Sequence, residues 1–261
     1  MGPALAQDND SGGGSNGIGQ ILDILIPDSM QMTLGGGPRY APDYFGSDDY
    51  EWDFAEVYFL RFKDNVTVDN EGISYGLFEL SDFTIGPTAN IANGRNDDKN
   101  IALHGLGDVG TTFELGAFAK AQFNDRYTFR LRYRHAVKTG HHGGILDAQA
   151  TARVFEHGPV SAAVNVKGTW VDKQYSKTFF GVSPEQAERS GLSEFSAGTT
   201  IRDVRGGVVV RYALSEKWAL NGYAKYKYLL GDAAATPIVS DFGSREQYAV
   251  GAFASYTFTF D

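Results

Sequence analysis

A chain of 261 residues with 42% hydrophobic residues, 32 Gly, 18 Phe, 14 Tyr and no Cys suits one large β domain and excludes disulfides and thiolate metal sites. Its net charge of −9 argues against binding a nucleic-acid backbone, and nucleic acid is excluded as a partner. No apolar run reaches the roughly 18–20 residues of a membrane-spanning helix, so a membrane-embedded form requires a closed barrel, in which every strand's backbone groups are paired.

Near the start, Ala4-Leu5-Ala6 before Gln7 reads either as the small-x-small end of an export signal or as a chance Ala-Leu-Ala, followed by a Gly- and Ser-rich tether over 8–17. Ile18, Ile21, Leu22 and Leu25 fall at helical spacing, which predicts a short lead-in segment packed against the first strands, or else an amphipathic helix touching the membrane or the barrel mouth. Residues 1–28 are thus a signal-peptide remnant, tether and lead-in, and 29–261 form the barrel. Strands are predicted near 30–39, 51–61, 64–69, 73–80, 83–93, 111–123, 127–138, 145–156, 160–172, 200–214, 217–230 and 246–260, about twelve in all.

The clearest alternation is in the seventh of these. Tyr127, Phe129, Leu131 and Tyr133 share one face, and Thr128, Arg130, Arg132 and Arg134 the other, because successive side chains of a strand point to opposite sides. Alternation does not say which face meets water. The connectors do. Asn124–Arg126, His157–Pro159 and Ser215-Glu216 are short, whereas 42–50, 94–110, 173–199 and 231–245 are long. Short turns at one end and long loops at the other mark a membrane barrel, as do the alternating aromatics Tyr256, Phe258 and Phe260 of the last strand. The fold class is all-β, a transmembrane antiparallel up-and-down β-barrel of about 12 strands.

Several stretches resemble the MipA/OmpV family of outer-membrane proteins. Pro38-Arg39-Tyr40-Ala41-Pro42-Asp43-Tyr44-Phe45-Gly46-Ser47 is similar to its early Pro-Tyr-Gly-Ser pattern. Gly105-Leu106-Gly107-Asp108 with Glu114-Leu115-Gly116 resembles the next block, and Gly140-His141-His142-Gly143-Gly144 a glycine-histidine turn. Phe180-Gly181-Val182, Ser190-Gly191, Trp218 and Leu230-Gly231-Asp232-Ala233-Ala234, then Pro237-Ile238-Val239, resemble the C-terminal pattern. Asp261 after Phe260 departs from the family's usual aromatic terminus, and Thr236 stands where Ser is commoner. The resemblance implies a bacterial outer-membrane barrel without catalytic residues. The family's namesake is a scaffold between a lytic murein transglycosylase and a bifunctional penicillin-binding protein, so both are implied partners beside membrane lipid and lipopolysaccharide, with the barrel a monomer.

Candidate chemistry is concentrated on the face opposite the lipid. Arg130, Arg132, Arg134 and Lys138, with Arg153, Lys167, Lys225 and Lys227, are expected to line the lumen together with Glu114 and Asp147, since charges are tolerable inside a barrel and costly on its lipid side. They form either an anion-attracting passage or an ion-pair network that fills the bore. Asp43, Asp48, Asp49, Asp97 and Asp98 form an acidic loop cluster, suited to a hard cation or merely to a solvated surface. His141 and His142 point apart in a tight turn and do not make a metal site. No nucleophile–base pattern stands out among the five His, so neither catalysis, nor metal, nor cofactor is expected. The leading expectation is a non-catalytic envelope scaffold, with a small-solute channel and a surface adhesin as alternatives.

Overall fold

The computed structural model describes residues 18–25, 31–62 and 65–259. The Ala4-Leu5-Ala6 motif, the tether and Phe260-Asp261 lie outside them. The strands are β1 Gln31–Pro42, β2 Tyr50–Phe62, β3 Val66–Asp69, β4 Gly72–Tyr75, β5 Phe78–Leu80, β6 Phe83–Ala92, β7 Thr112–Phe123, β8 Tyr127–Lys138, β9 Gly144–His157, β10 Val160–Val171, β11 Thr200–Ala213, β12 Trp218–Leu229 and β13 Glu246–Thr259. Each pairs antiparallel with its neighbour in sequence, except that β4 passes over β5 to pair with β6, Ile73 opposite Ala89. At the other seam β1 zips to β13, Gln31 opposite Thr259. The ring therefore closes through twelve strands, with β5 continuing the line of β4 along β6 as a short thirteenth. The predicted strand over 73–80 is this broken pair. The chain interrupts itself where the Tyr75 carbonyl passes so close to Gly86 that a Cβ there would lie 1.7 Å from its oxygen.

Outward-facing positions are apolar and exposed, among them Leu34, Ile85, Leu115, Phe129, Leu131, Val166, Leu220 and Val250. Inward positions on the same strands are polar and buried, among them Thr33, Thr88, Gln149, Thr151, Asn165 and Asn221. That is the pattern of a barrel whose outside is lipid. Both ends of the ring sequence, Gln31 and Thr259, lie at the end where the short turns are. One of those turns places Asn124 and Asp125 at φ 51° and 49°, the left-handed region that short-side-chain polar residues tolerate.

At the opposite end the long connectors build a folded cap. Its helices are α2 Lys173–Phe180, α3 Pro184–Ser190, α4 Gly231–Ala235 and α5 Pro237–Ser240. Asp172 caps α2 by accepting the Tyr175 N–H at 2.9 Å. Ser183 and Gln186 form a capping box on α3, satisfying two of its orphan N–H donors. Tyr44, Leu103, Leu106, Val182, Leu192 and Ile238 form one of the cap's small apolar cores.

A fifth helix, α1 Ile18–Leu25, lies inside the barrel. Its Ile18, Leu22, Ile24 and Leu25 are buried against Val57, Ala163, Val209, Tyr223 and Phe253 of the wall. Arg153 of β9 donates from Nε to the Ile24 carbonyl at 2.9 Å. The apolar spacing of α1 is thus answered by an apolar ring of inward residues, unusual in an otherwise polar lumen.

Candidate functional site

The middle of the lumen holds a layer of charges organised around the turn between β3 and β4. These strands are only four residues long, so their turn, Asn70-Glu71, stops part-way up the wall and turns inward. Gly72 makes this possible: it adopts φ +119°, and a Cβ would lie 2.2 Å from the Ala89 carbonyl oxygen. Asp69 fixes the turn by accepting the Glu71 N–H at 2.7 Å. The Asn70 side chain donates to the Glu56 carbonyl at 3.0 Å and accepts the Tyr58 N–H at 3.3 Å, covering backbone groups of β2 that β3 is too short to reach.

From this turn the Glu71 carboxylate meets Arg132 Nη2 of β8 at 2.6 Å and Lys167 Nζ of β10 at 2.9 Å. Strand β10 stands five strands away round the ring from β4 in one direction and seven in the other, so the Glu71–Lys167 bond crosses the bore. Asp147 of β9 accepts from Arg132 at 3.1 Å and Arg134 at 2.8 Å, with Lys167 at 3.5 Å and the Thr169 hydroxyl at 3.1 Å. Glu114 of β7 accepts from Arg134 at 2.7 Å and Asn90 at 3.0 Å. Three cations thus face three carboxylates, and every one of these side chains is 5% exposed or less. A buried set of this kind persists only when charges balance and lone pairs are filled.

His141 joins the edge of the layer. Its Nδ1 accepts the Gly143 N–H at 3.1 Å, so the ring proton sits on Nε2 and is donated to Glu114 Oε1 at 2.8 Å. His141 faces inward while His142 is exposed, and among the described residues no group of three His, Asp or Glu side chains is placed to hold a metal ion.

Of the predicted lumen residues, Arg132, Arg134, Glu114, Asp147 and Lys167 come together in this layer. Arg130 sits at its margin, donating to Ser74 Oγ at 2.7 Å and lying over the Phe118 ring. Arg153 is spent on α1. Lys227 and Lys225 face inward on β12, their ammonium groups over the rings of Phe45 and Tyr223. Lys138 differs from expectation: it is exposed at the rim, opposite Phe113, because a register shift between Phe113 and Glu114 breaks the alternation there. Sequence reading missed Glu71, which stood in the least regular part of the strand pattern. It also missed Arg202, which pairs with the buried Asp203 at 2.7 Å and lays its guanidinium over Phe45 and Tyr175.

The acidic loop residues do not converge on a point. Asn100 donates to Asp43 at 2.7 Å and Asp49 at 3.4 Å, and Lys99 pairs with Glu51 at 3.3 Å, so the connector over 93–111 is pinned to the β1–β2 loop. Asp97 instead accepts the Gly107 N–H at 3.0 Å, which holds its carboxyl below the usual range. Asp48 and Asp98 are exposed. Burial raises the Tyr44 hydroxyl to about 12.

The family model described as MltA-interacting protein MipA matches residues 34–258. No curated protein matches the chain. Among solved structures, a NanC porin is 11% identical with TM-score 0.48, covering 86% of this chain and 98% of that one. A KdgM porin is 11% identical with TM-score 0.44, covering 87% and 99%. The COG4313 outer membrane channel from Pseudomonas putida F1 is 9% identical with TM-score 0.44, covering 89% and 97%.

Proposed function

Because the chain belongs to the family of the MltA-interacting protein MipA, a barrel of the bacterial outer membrane, we propose that it is a closed membrane anchor and scaffold for periplasmic murein-remodelling proteins. The observation that carries this reading is the Glu71–Lys167 bond across the bore. A transport barrel keeps a continuous polar passage; in this reading the charged layer, α1 packed on the wall below it and the loop cap above it interrupt the passage. With the bore occupied, the surfaces left for function are the two ends and the lipid-facing wall. The family description speaks of interaction with MltA, and the notion of a lytic transglycosylase partner comes to this chain from there. In this reading the short-turn end faces the periplasm, the barrel is a monomer, and the long-loop cap faces lipopolysaccharide. No reaction is assigned to it.

Affinity capture tests this. A tagged barrel, solubilised from envelopes in mild detergent, should retain a lytic transglycosylase, with or without a penicillin-binding protein. Charge reversal at the short turns, as in Glu216→Lys with Asp125→Lys, should reduce that retention while the barrel stays heat-modifiable. Absence of any murein enzyme from the captured fraction contradicts the scaffold reading. An ion-conducting barrel in the same preparation favours the channel alternative, to which the inward Lys225, Lys227 and Arg205 of the upper lumen would lend anion preference.

A further inference from the structure

The seam where β1 meets β13 closes only part-way. Its last pair toward the long-loop end is Tyr40 with Val250, although β13 begins at Glu246. Further out the two connectors meet again, with Ser47 bridging Gly243. Between these closures the outer wall carries a groove of about 530 Å³, lined by Tyr40, Asp48, Tyr50, Glu246, Tyr248 and Val250 together with Ser244. That volume lies in the range of small-molecule sites. The groove is braced from behind by the buried Gln247, which donates to the Ser47 carbonyl at 2.8 Å and accepts the Gly46 N–H at 3.2 Å. The Tyr50 hydroxyl accepts the Tyr248 N–H at 3.1 Å, a backbone group for which β1 offers no partner at this height.

The chemistry of the groove is one-sided. Ring centroids of Tyr40 and Tyr50 stand 5.3 Å apart, as do those of Tyr40 and Trp52, and Tyr226 and Tyr248 stand 5.1 Å apart. These rings gather on four neighbouring strands, β12, β13, β1 and β2, whereas the long-loop ends of β7, β8 and β11 expose Phe113, Val137 and Ile201. An even interfacial belt does not account for such a gathering. Asp48 and Glu246 are the charged groups of the groove, and both are exposed. Among the described residues neither meets a Lys or Arg: Glu246 accepts the Tyr248 hydroxyl at 3.0 Å, and its own N–H goes to Ser244 Oγ at 3.0 Å. No third carboxylate or imidazole joins them to complete a metal site.

Negative charge beside electron-rich ring faces attracts an organic cation. A quaternary ammonium suits the groove better than a primary amine, because its methyl groups rest on the rings and on Val250 and need no hydrogen-bond acceptors. A phosphate or carboxylate on the same ligand would face Asp48 and Glu246 and weaken it. We propose that this groove binds a free quaternary ammonium of the choline type, taken up from the aqueous side at the long-loop end of the barrel.

The test is titration of the purified full-length barrel with choline, followed by NMR of the choline methyl protons, in polyoxyethylene detergent micelles that carry neither choline nor sugar. The comparison probes are the uncharged isostere in which carbon replaces the nitrogen, phosphocholine and calcium chloride. Choline should bind saturably, roughly fivefold or more tightly than the isostere, and more tightly than phosphocholine, and calcium should not displace it. Tyr40→Leu should weaken it by about two- to fivefold, the loss of one exposed ring contact. Asp48→Asn with Glu246→Gln, which leaves all three tyrosines in place, should weaken it as well, with the heat-modifiable migration of both variants unchanged. Absence of saturable choline binding overturns the proposal, as does equal binding of the isostere or of phosphocholine. Displacement by calcium, or undiminished binding in either variant, overturns it too.

Discussion

Removing the Glu71 carboxylate should destabilise the barrel by depriving two buried cations, Lys167 and Arg132, of a shared partner. In Glu71→Gln, Lys167 retains Asp147 at 3.5 Å and Arg132 retains it at 3.1 Å, but the layer is left with three cations and two carboxylates. Breaking a buried ion pair from one side costs about 3–5 kcal/mol, and the surviving Asp147 contacts place this change near the lower end. Lys167→Met leaves the opposite imbalance, with Glu71 still held by Arg132 at 2.6 Å, and should cost about the same. The double variant restores balance, two against two. Its loss should therefore fall short of the sum of the single losses by roughly 1–3 kcal/mol, the range of directly coupled neighbours. Urea titration of barrels refolded into lipid vesicles, followed by heat-modifiable gel migration and by tryptophan fluorescence, measures all four corners of the cycle. Single losses under about 0.5 kcal/mol, the range of ordinary surface substitutions, or strict additivity, would falsify the cross-bore bond as a structural element.

Leu131→Arg puts a charge on the lipid face of β8, at about 2–4 kcal/mol near the midplane, and should impair assembly, whereas Arg132→Gln should leave a folded barrel of lower thermal stability; normal assembly of the first and failure of the second, read by gel migration, would invert the assignment of inside and outside. Protease added to intact cells should cut the exposed part of the connector around Glu188 and Arg189 and spare the turns at Gly158-Pro159 and Ser215-Glu216, since the former lies at the long-loop end and the turns, though exposed too, at the opposite one; the reverse pattern overturns the orientation. Ser183→Ala removes the capping box of α3 and should cost about 1 kcal/mol locally, seen as faster amide exchange over 184–190 with no change in the strands; uniform acceleration across the barrel contradicts the cap as a separate unit.

The wall was legible because lipid outside and polar groups inside enforce alternation residue by residue, as at Phe129 to Arg134. The connectors were legible by length, and closure followed from pairing the first strand with the last. What escaped was set by contacts distant in sequence. Nothing local to Val66–Tyr75 says that the hairpin stops short, and Glu71 acquires meaning only from Lys167, 96 residues on. Lys138 followed the parity of its strand on paper, yet a single register shift opposite Phe113 releases it to the rim. The segment Ile18–Leu25 showed helical spacing, but where its apolar side would be buried depended on Ala163, Val209 and Phe253 in three separate strands. The acidic loops looked like one cluster because composition counts charges and does not see Asn100 and Lys99 reaching across to them.

The central claim is that the bore is closed, and single-channel recording in planar bilayers tests it most directly. Purified barrel inserted at high protein-to-lipid ratio should give no resolved conductance steps over the voltage range in which the bilayer itself is stable. Uniform, reproducible steps from the unaltered protein, carrying ions steadily through a barrel with Glu71 and Lys167 in place, would contradict it.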